Sequence, residues 1–520
     1  MKKVSKIVAL LLALVKMVSV AGCGKDGDSN KEGVGKNNGG KEVEIKYWNA
    51  GQGTEWLESA IKAFNEKQSD WYVTYTATAS AEAVLAAFGQ EDVDTADLYF
   101  VAGGYDTSNM EPLEGILKET ADGDKKTLEE KFHASYLELE RTEDGHIYSL
   151  SHLLAAPGIV YNTKLFEEAG IKEMPRTTNE LLIVCDKLLQ KDITPWIHFK
   201  SGGYYDRVRS IWRAQYDGIE YFQNNFITLT DEAGNSPSKE VLLKKDGRYE
   251  ALKVQADLIT KENVVAGSNS NDHITAQTKF LNDRVGMMVN GAWLGKEMAS
   301  VGSVENYEMM KTPVISSITD KLTTVKSDAD LRKLVSAIDA VTDGSAEESS
   351  YQSGDGYVID GKQVSKADWD YVRAARNTIY TEATESGAFI PKYADAKDGA
   401  KEFLKYMFSD EGLKLVIGIL RQAPSLKLST GEEFDTKEWN AFETSALELT
   451  NSGEAIVTNV WRKNASKIFS MQLTNDFAMR NFISSFCASN AADRVTADEA
   501  WKTIQDEFES GYDRWLDTVK

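Results

Sequence analysis

Between Val43 and Val101 the chain reads as three strands separated by two helices, an order that leaves few folds open. Val43-Glu44-Ile45-Lys46-Tyr47-Trp48 alternates apolar and polar with the period of a strand. A turn follows at Asn49-Ala50-Gly51-Gln52-Gly53, and Trp56, Ile61 and Phe64 then recur at helical spacing. Tyr72 to Ala77 reads as a second strand, Ala81 to Phe88 as a helix, and Ala96 to Val101 as a third strand stopping at Gly103-Gly104. Such an order predicts a parallel sheet covered by helices, so the chain is α/β.

The pattern continues downstream. Asp144-Gly145 turns the chain into Ile147–Leu150, and Gly158-Ile159-Val160-Tyr161 reads as a strand. Asn162 caps a short helix that Gly170 stops. Thr177 and Glu180 form a capping box over a helix whose apolar face is Leu181, Val184, Cys185 and Leu188. Val285–Val289 is a strand turned by Asn290-Gly291-Ala292-Trp293, and Met309–Val314 reads as an edge strand or crossover. Residues 317–385 are polar and read as helix-rich, with Gly354-Asp355-Gly356 as a loop. Ala388–Pro391 is a short strand and Ala400–Phe408 a helix. A second capping box, Thr496 with Glu499, opens a final helix that is expected to bury Trp501, Ile504, Phe508, Tyr512 and Trp515.

The amino terminus reads as a leader. Lys2, Lys3 and Lys6 precede the apolar run Ile7–Val15, which is too short to span a bilayer and right for a signal-peptide core. Lys16 interrupts the apolar stretch. Val20-Ala21-Gly22-Cys23 follows, and small residues before a Cys at this position resemble the lipobox of bacterial lipoproteins; an ordinary secretory signal with a chance Cys is the alternative. Cys23 is then the expected lipidation site. Residues 24–41 hold six Gly and one apolar residue, Val34, and predict a flexible tether. The 59 Lys and Arg against 81 Asp and Glu leave a net charge of −22, and removal of the leader with its lysines makes the remainder more negative still. Such a charge argues against nucleic acid as a partner, because phosphate neutralisation needs a basic surface. Cys185 and Cys487 lie in apolar helical patterns and read as buried thiols, with a disulfide between them left open. There is no Cys-x-x-Cys and no His-Glu-x-x-His, so neither a metal nor a cofactor is expected.

Seven segments, in order, resemble a family. The lipobox and Gly-rich tether, IKYWN, ADLYFVAGG, DGHIYSLSHLLAAPGIVYNTKLFEEAGI, FLNDRVGMMVNGAW, TPVISSI and AKEFLKYMFSDEG are similar to the substrate-binding lipoproteins of ABC sugar importers, which share the fold of maltose-binding protein. The resemblance covers essentially the whole chain after the leader; the stretch 317–385 is a departure from shorter members. It implies two α/β lobes of the type II periplasmic-binding fold, a hinge and a ligand cleft between them. Residues 1–22 are then the signal peptide and 23–41 the lipidated Cys and tether. Residues 42–155 with 386–430 form lobe one, and 156–385 with 431–520 form lobe two, 317–385 being a helical insertion. The implied protein is a monomer tethered outside the cell membrane by lipid alone, handing its ligand to separate ABC permease subunits.

Sugar recognition needs ring faces against pyranose C–H surfaces and planar polar groups for hydroxyls. Ligands of open α/β sheets bind outside the carboxyl ends of strands. The candidates at such ends are Trp48, Asn49, Gln52, Gly104, Tyr105, Asn290 and Trp293. Trp293 resembles the family's stacking residue in the second lobe, and helix-start packing is its alternative role. His152 lies beside the expected hinge. Trp196, His198, Tyr204, Tyr205 and Trp212 surround Gly202-Gly203, some as core and some as cleft lining. A neutral oligosaccharide is the expected ligand. A non-carbohydrate solute on the same fold, or an anchored glycan-degrading enzyme, is the alternative. The enzyme needs two carboxylates at a defined separation, which 81 acidic residues cannot single out.

Overall fold

The computed structural model describes residues 32–49, 51–101, 106–142, 144–154, 156–200, 204–222, 224, 240, 243–381, 387–453, 455–458 and 478–519. Two main sheets organise these residues, each with its own core.

The first sheet has six strands in the order β1-β3-β2-β4-β14-β5. These are β1 (Glu32–Gly33), β2 (Lys41–Trp48), β3 (Trp71–Thr78), β4 (Leu98–Phe100), β5 (Leu150–Ser151) and β14 (Gly387–Phe389). As the alternation predicts, β2 runs parallel to β3 and to β4. The helix Glu55–Lys67 buries Trp56, Leu57, Ile61 and Phe64 against this sheet. Its core draws on residues from Val43 to Leu154 and again from Ala388 to Leu428.

The second sheet has the order β7-β8-β6-β9: β6 (Gly158–Asn162), β7 (Thr194–Trp196), β8 (Val285–Asn290) and β9 (Tyr307–Met310). β9 lies at its edge and pairs antiparallel with β6. Asn162 Oδ1 accepts the Leu165 N–H at 3.1 Å, capping the helix Thr163–Glu168. Phe442, Ala446 and Leu449 pack on this sheet, so the chain after Leu428 has changed cores. The chain therefore passes between the sheets after Ser151, between β13 (Thr378–Thr381) and β14, and after Leu428. Two cores joined by three crossings are the two-lobe type II fold expected from the sequence.

Two expectations change. The stretch 317–385 is not purely helical. Between the helices Asp328–Thr342 and Lys366–Arg376 stands a three-stranded antiparallel sheet of β10 (Gln352–Ser353), β11 (Gly356–Ile359) and β12 (Lys362–Ser365). Asp360 and Gly361 both have positive φ, 52° and 79°, the requirement of a two-residue primed turn between β11 and β12. Tyr357, Ile359 and Val364 alternate inward, with Tyr357 stacked on Trp369 at 4.1 Å. The expected free tether is also shorter, because residues 32–41 lie on the first lobe. Phe508, Tyr512 and Trp515 have side chains outside the described residues, whereas Trp501 and Ile504 are buried and the Thr496–Glu499 capping box is formed.

Asp368 ties the insertion together. Its carboxylate accepts the N–H groups of Thr323, Thr324 and Val325 at 2.9, 2.6 and 3.2 Å, and the hydroxyls of both threonines. Burial pushes this carboxyl up, but the donors outweigh it and hold the group below its ordinary value of 3.8. A lowered acid contributes stability that is complete above the unfolded value and lost as pH falls through the folded one. Asp368→Ala is therefore expected to cost about 2–4 kcal/mol at pH 7. The gap to the wild type should shrink below pH 3.8, which urea unfolding at neutral and acid pH would measure.

Candidate functional site

The lobes meet where the carboxyl end of β2 faces the carboxyl end of β8. On the first lobe, the loop after β2 is closed on itself. Asn49 Oδ1 accepts the Gly53 N–H at 3.1 Å, and the Tyr47 hydroxyl donates to Gly53 O at 3.0 Å. Trp56 Nε1 in turn donates to that hydroxyl at 3.2 Å. This presents Gly51 at φ 104° to the second lobe, where a Cβ on it would lie 2.9 Å from Glu297 Cγ. Gln52 beside it is buried, and its Nε2 has no hydrogen-bond partner.

On the second lobe, Asn290 ends β8 fully buried, its Oδ1 accepting the Gly291 N–H at 2.8 Å. The Trp293 indole lies directly over Gly291, leaving no room for a Cβ there. Tyr204 meets Trp293 edge-to-face at 5.5 Å and 77°, and Phe199 meets Tyr204 at 5.5 Å and 85°. The Arg207 guanidinium covers Tyr204 at 4.5 Å. Four residues after Trp293, Glu297 accepts the Gln277 Nε2 at 2.8 Å, and His273 Nε2 stands 4.0 Å from its other oxygen. Burial pushes the Glu297 carboxyl above the usual range, with the Gln277 bond and His273 opposing. Gln277 is fully buried, and its Oε1 lacks a partner. One amide donor and one amide acceptor are thus buried and unspent on the two sides of the interlobe contact. Buried polar groups are normally bonded, so such exceptions need an explanation.

The other sequence candidates divide. Trp48 is half-buried, with Nε1 donating to Ala79 O at 3.3 Å. His152 is wholly buried 4.7 Å from Trp56, and neither ring nitrogen has a partner; burial takes it down to about 3, so it is neutral. Trp196, Tyr205 and Trp212 are core residues of the second lobe rather than cleft lining. Their polar atoms are spent inside, on Cys185 Sγ, Ile197 O and Pro313 O. His198 is fully buried, with Nε2 at 3.5 Å from Cys487 Sγ. Cys185 and Cys487 are free, buried thiols. Gly104, Tyr105 and Cys23 lie outside the described residues. Sequence reasoning missed Gly51, His273, Gln277 and Glu297. The spacing of Glu297, one helical turn beyond Trp293, is the signal that could have found it.

No group of His, Cys, Asp and Glu among the described residues could hold a metal, and none of their helices is long and apolar enough to cross a membrane.

Two α/β lobes that meet at Gly51 and Glu297 have the architecture of a solute-binding receptor. The profile of the bacterial extracellular solute-binding proteins matches residues 50–414, and the chain belongs to that family. Its members are binding receptors. No curated protein matches the chain by sequence. Solved structures are similar in fold. A probable secreted solute-binding lipoprotein from Streptomyces coelicolor is 11% identical with a TM-score of 0.60, over 90% of this chain and 98% of that one. A chitin oligosaccharide binding protein is 17% identical with a TM-score of 0.58, over 91% and 98%. The maltose-bound MalE3 of T. maritima is 14% identical with a TM-score of 0.56, over 90% and 99%.

Proposed function

We propose that this chain is the carbohydrate receptor of an ABC importer, holding a neutral oligosaccharide between its lobes and handing it unchanged to separate permease subunits. The observation that carries the reading is the interlobe cluster. Trp293 supplies a ring for a pyranose C–H surface when the lobes part, and Tyr204 holds that ring edge-on. Gln52 Nε2 and Gln277 Oε1 lack partners, and sugar hydroxyls can accept from the one and donate to the other. Glu297 lies at the contact between the lobes, so a ligand held there touches both and favours the closed state. The chitin-oligosaccharide and maltose ligands of the similar structures agree in class.

The lobes are taken as residues 42–155 with 386–430, and 156–385 with 431–520; the memberships of the two sheets support this division. The receptor works as a monomer outside the cell, anchored through lipid on Cys23. The acidic charge suits an uncharged ligand and a body repelled by an anionic bilayer. Calorimetric titration with neutral oligosaccharides tests the function. One saturable site per chain is expected; no heat from any of them would remove the carbohydrate assignment in favour of another solute.

A further inference from the structure

The Gly-rich segment before β2 reads as a flexible linker by composition, yet its second half is bound to the body. β1 pairs antiparallel with β3, placing Glu32 opposite Tyr75 and Gly33 opposite Thr74. Asn38 Nδ2 donates to three carbonyls, those of Asn65, Gln68 and Trp71, at 3.0, 2.8 and 3.0 Å. Asn65 Nδ2 reciprocates to Val34 O at 3.1 Å, and Val34 packs on the first core. The Lys41 N–H then donates to Asp70 O at 2.9 Å. The glycines serve close approach: a Cβ at Gly40 would lie 2.6 Å from the Trp71 backbone, and one at Gly33 would strike the Tyr72 hydroxyl.

Docking shortens the free chain. Eight residues separate Cys23 from Glu32, a span of about 30 Å at full extension. It also fixes where that chain joins the body. Because β1 opposes β3, its first residue, Glu32, is the one nearer the carboxyl end of β3. That end faces the second lobe, since the loop after the parallel neighbour β2 sets Gly51 against Glu297. Across the sheet, β5 leads directly into the crossing to β6, so the hinge lies at the β5 edge. β1 is the opposite edge, about 24 Å away at five strand spacings. The strap therefore begins on the edge of the first lobe away from the hinge, about 10 Å, three strand residues, from the carboxyl end of β3 that faces the second lobe.

We propose that residues 32–41 are a docking strap that turns the open mouth of the cleft toward the membrane surface in which the permease lies. The proposal rests on the lipid anchoring at Cys23 given above. Asn38 is its positioning residue: its Nδ2 holds three backbone carbonyls of the first lobe, its Oδ1 accepts the Gly40 N–H at 2.9 Å, and none of these partners is a cleft residue.

The test uses the full chain, processed in a lipoprotein-forming bacterium and reconstituted in phosphatidylcholine–phosphatidylglycerol vesicles carrying an acceptor-labelled lipid. A donor dye goes on Ala79→Cys or on Ser69→Cys, exposed positions just beyond the two ends of β3, which lie about 30 Å apart. Energy transfer at least about twofold greater from position 79 than from 69 is expected. Asn38→Ala should narrow that difference and speed amide exchange at Gly40 and Lys41 at least about tenfold, with ligand affinity unchanged. Equal or greater transfer from position 69 on vesicle-bound protein would overturn the orientation. Free exchange of both amides in the wild type would overturn the strap, whatever becomes of the anchor. Failure of the chain to sediment with vesicles would overturn the anchoring and the orientation with it, and the exchange rates would then judge the strap alone.

Discussion

Trp293→Ala is expected to weaken oligosaccharide binding about 10- to 100-fold, the largest effect of any single change in the cleft. The indole stands one helical turn before Glu297, which meets Gly51 of the first lobe, and is seated over Gly291 and held edge-on by Tyr204. Losing an aromatic face against a sugar costs about 1.5–3 kcal/mol of apolar contact, and about 1.4 kcal/mol is tenfold in affinity. Trp293→Phe keeps a ring in the same seat and should retain most of the affinity. It separates loss of the stacking face from collapse of the turn. Calorimetric titration of the two variants with the best-bound glycan measures both. An alanine variant that folds normally and binds as the wild type does would remove Trp293 from the site and leave it as a helix-start packing residue.

Lys131→Met is expected to lower the stability of the first lobe by about 3–5 kcal/mol without touching the cleft. The Lys131 ammonium is fully buried and uses all of its hydrogens. It donates to Asp124 at 2.5 Å and to Phe408 O at 2.6 Å, and pairs with Asp410 at 2.9 Å. Asp410 also accepts the Ser429 N–H and hydroxyl at 2.8 Å each, and its carboxyl is held below the usual range despite its burial. This cluster fastens the segment that returns from the second lobe onto the first. Methionine fills the space but leaves two carboxylates facing each other without a cation. At about 2–4 °C per kcal/mol for a domain of this size, scanning calorimetry should show the first transition falling by roughly 6–20 °C. An unchanged transition would mean that solvent reaches the carboxylates and that the cluster does little.

Much of the fold was legible because it obeys local rules. The parallel order of β2, β3 and β4 follows from period-2 strands separated by a helix with Trp56, Ile61 and Phe64 on one face. The β11–β12 hairpin carries a strong turn signal, Asp360-Gly361, which the helix-rich reading of the polar stretch around it passed over. The strap was hidden by its glycines. Composition cannot distinguish a glycine that frees the chain from one that lets two backbones touch, as Gly40 does at Trp71. In the site, Trp293 stood out by its place after a strand. Tyr205, Val208 and Trp212 lie at the spacing of a helix's buried face, and that periodicity marks them as core. Glu297 and Gln277 were not legible as site residues. Glu297 closes a four-residue helix, and Gln277 lies on the face of its helix that also buries Ala276 and Phe280, where its spacing reads as core.

One neutral oligosaccharide is expected to bind between the lobes and to leave chemically unchanged. Calorimetric titration of the wild-type protein with a panel of neutral oligosaccharides tests it most directly. For at least one glycan the expected result is a saturating isotherm with one ligand per chain and no heat flow once the site is full. Continuing heat after saturation would mean turnover and would make the protein an enzyme. Silence across the whole panel from a cooperatively folded sample would contradict the carbohydrate reading outright.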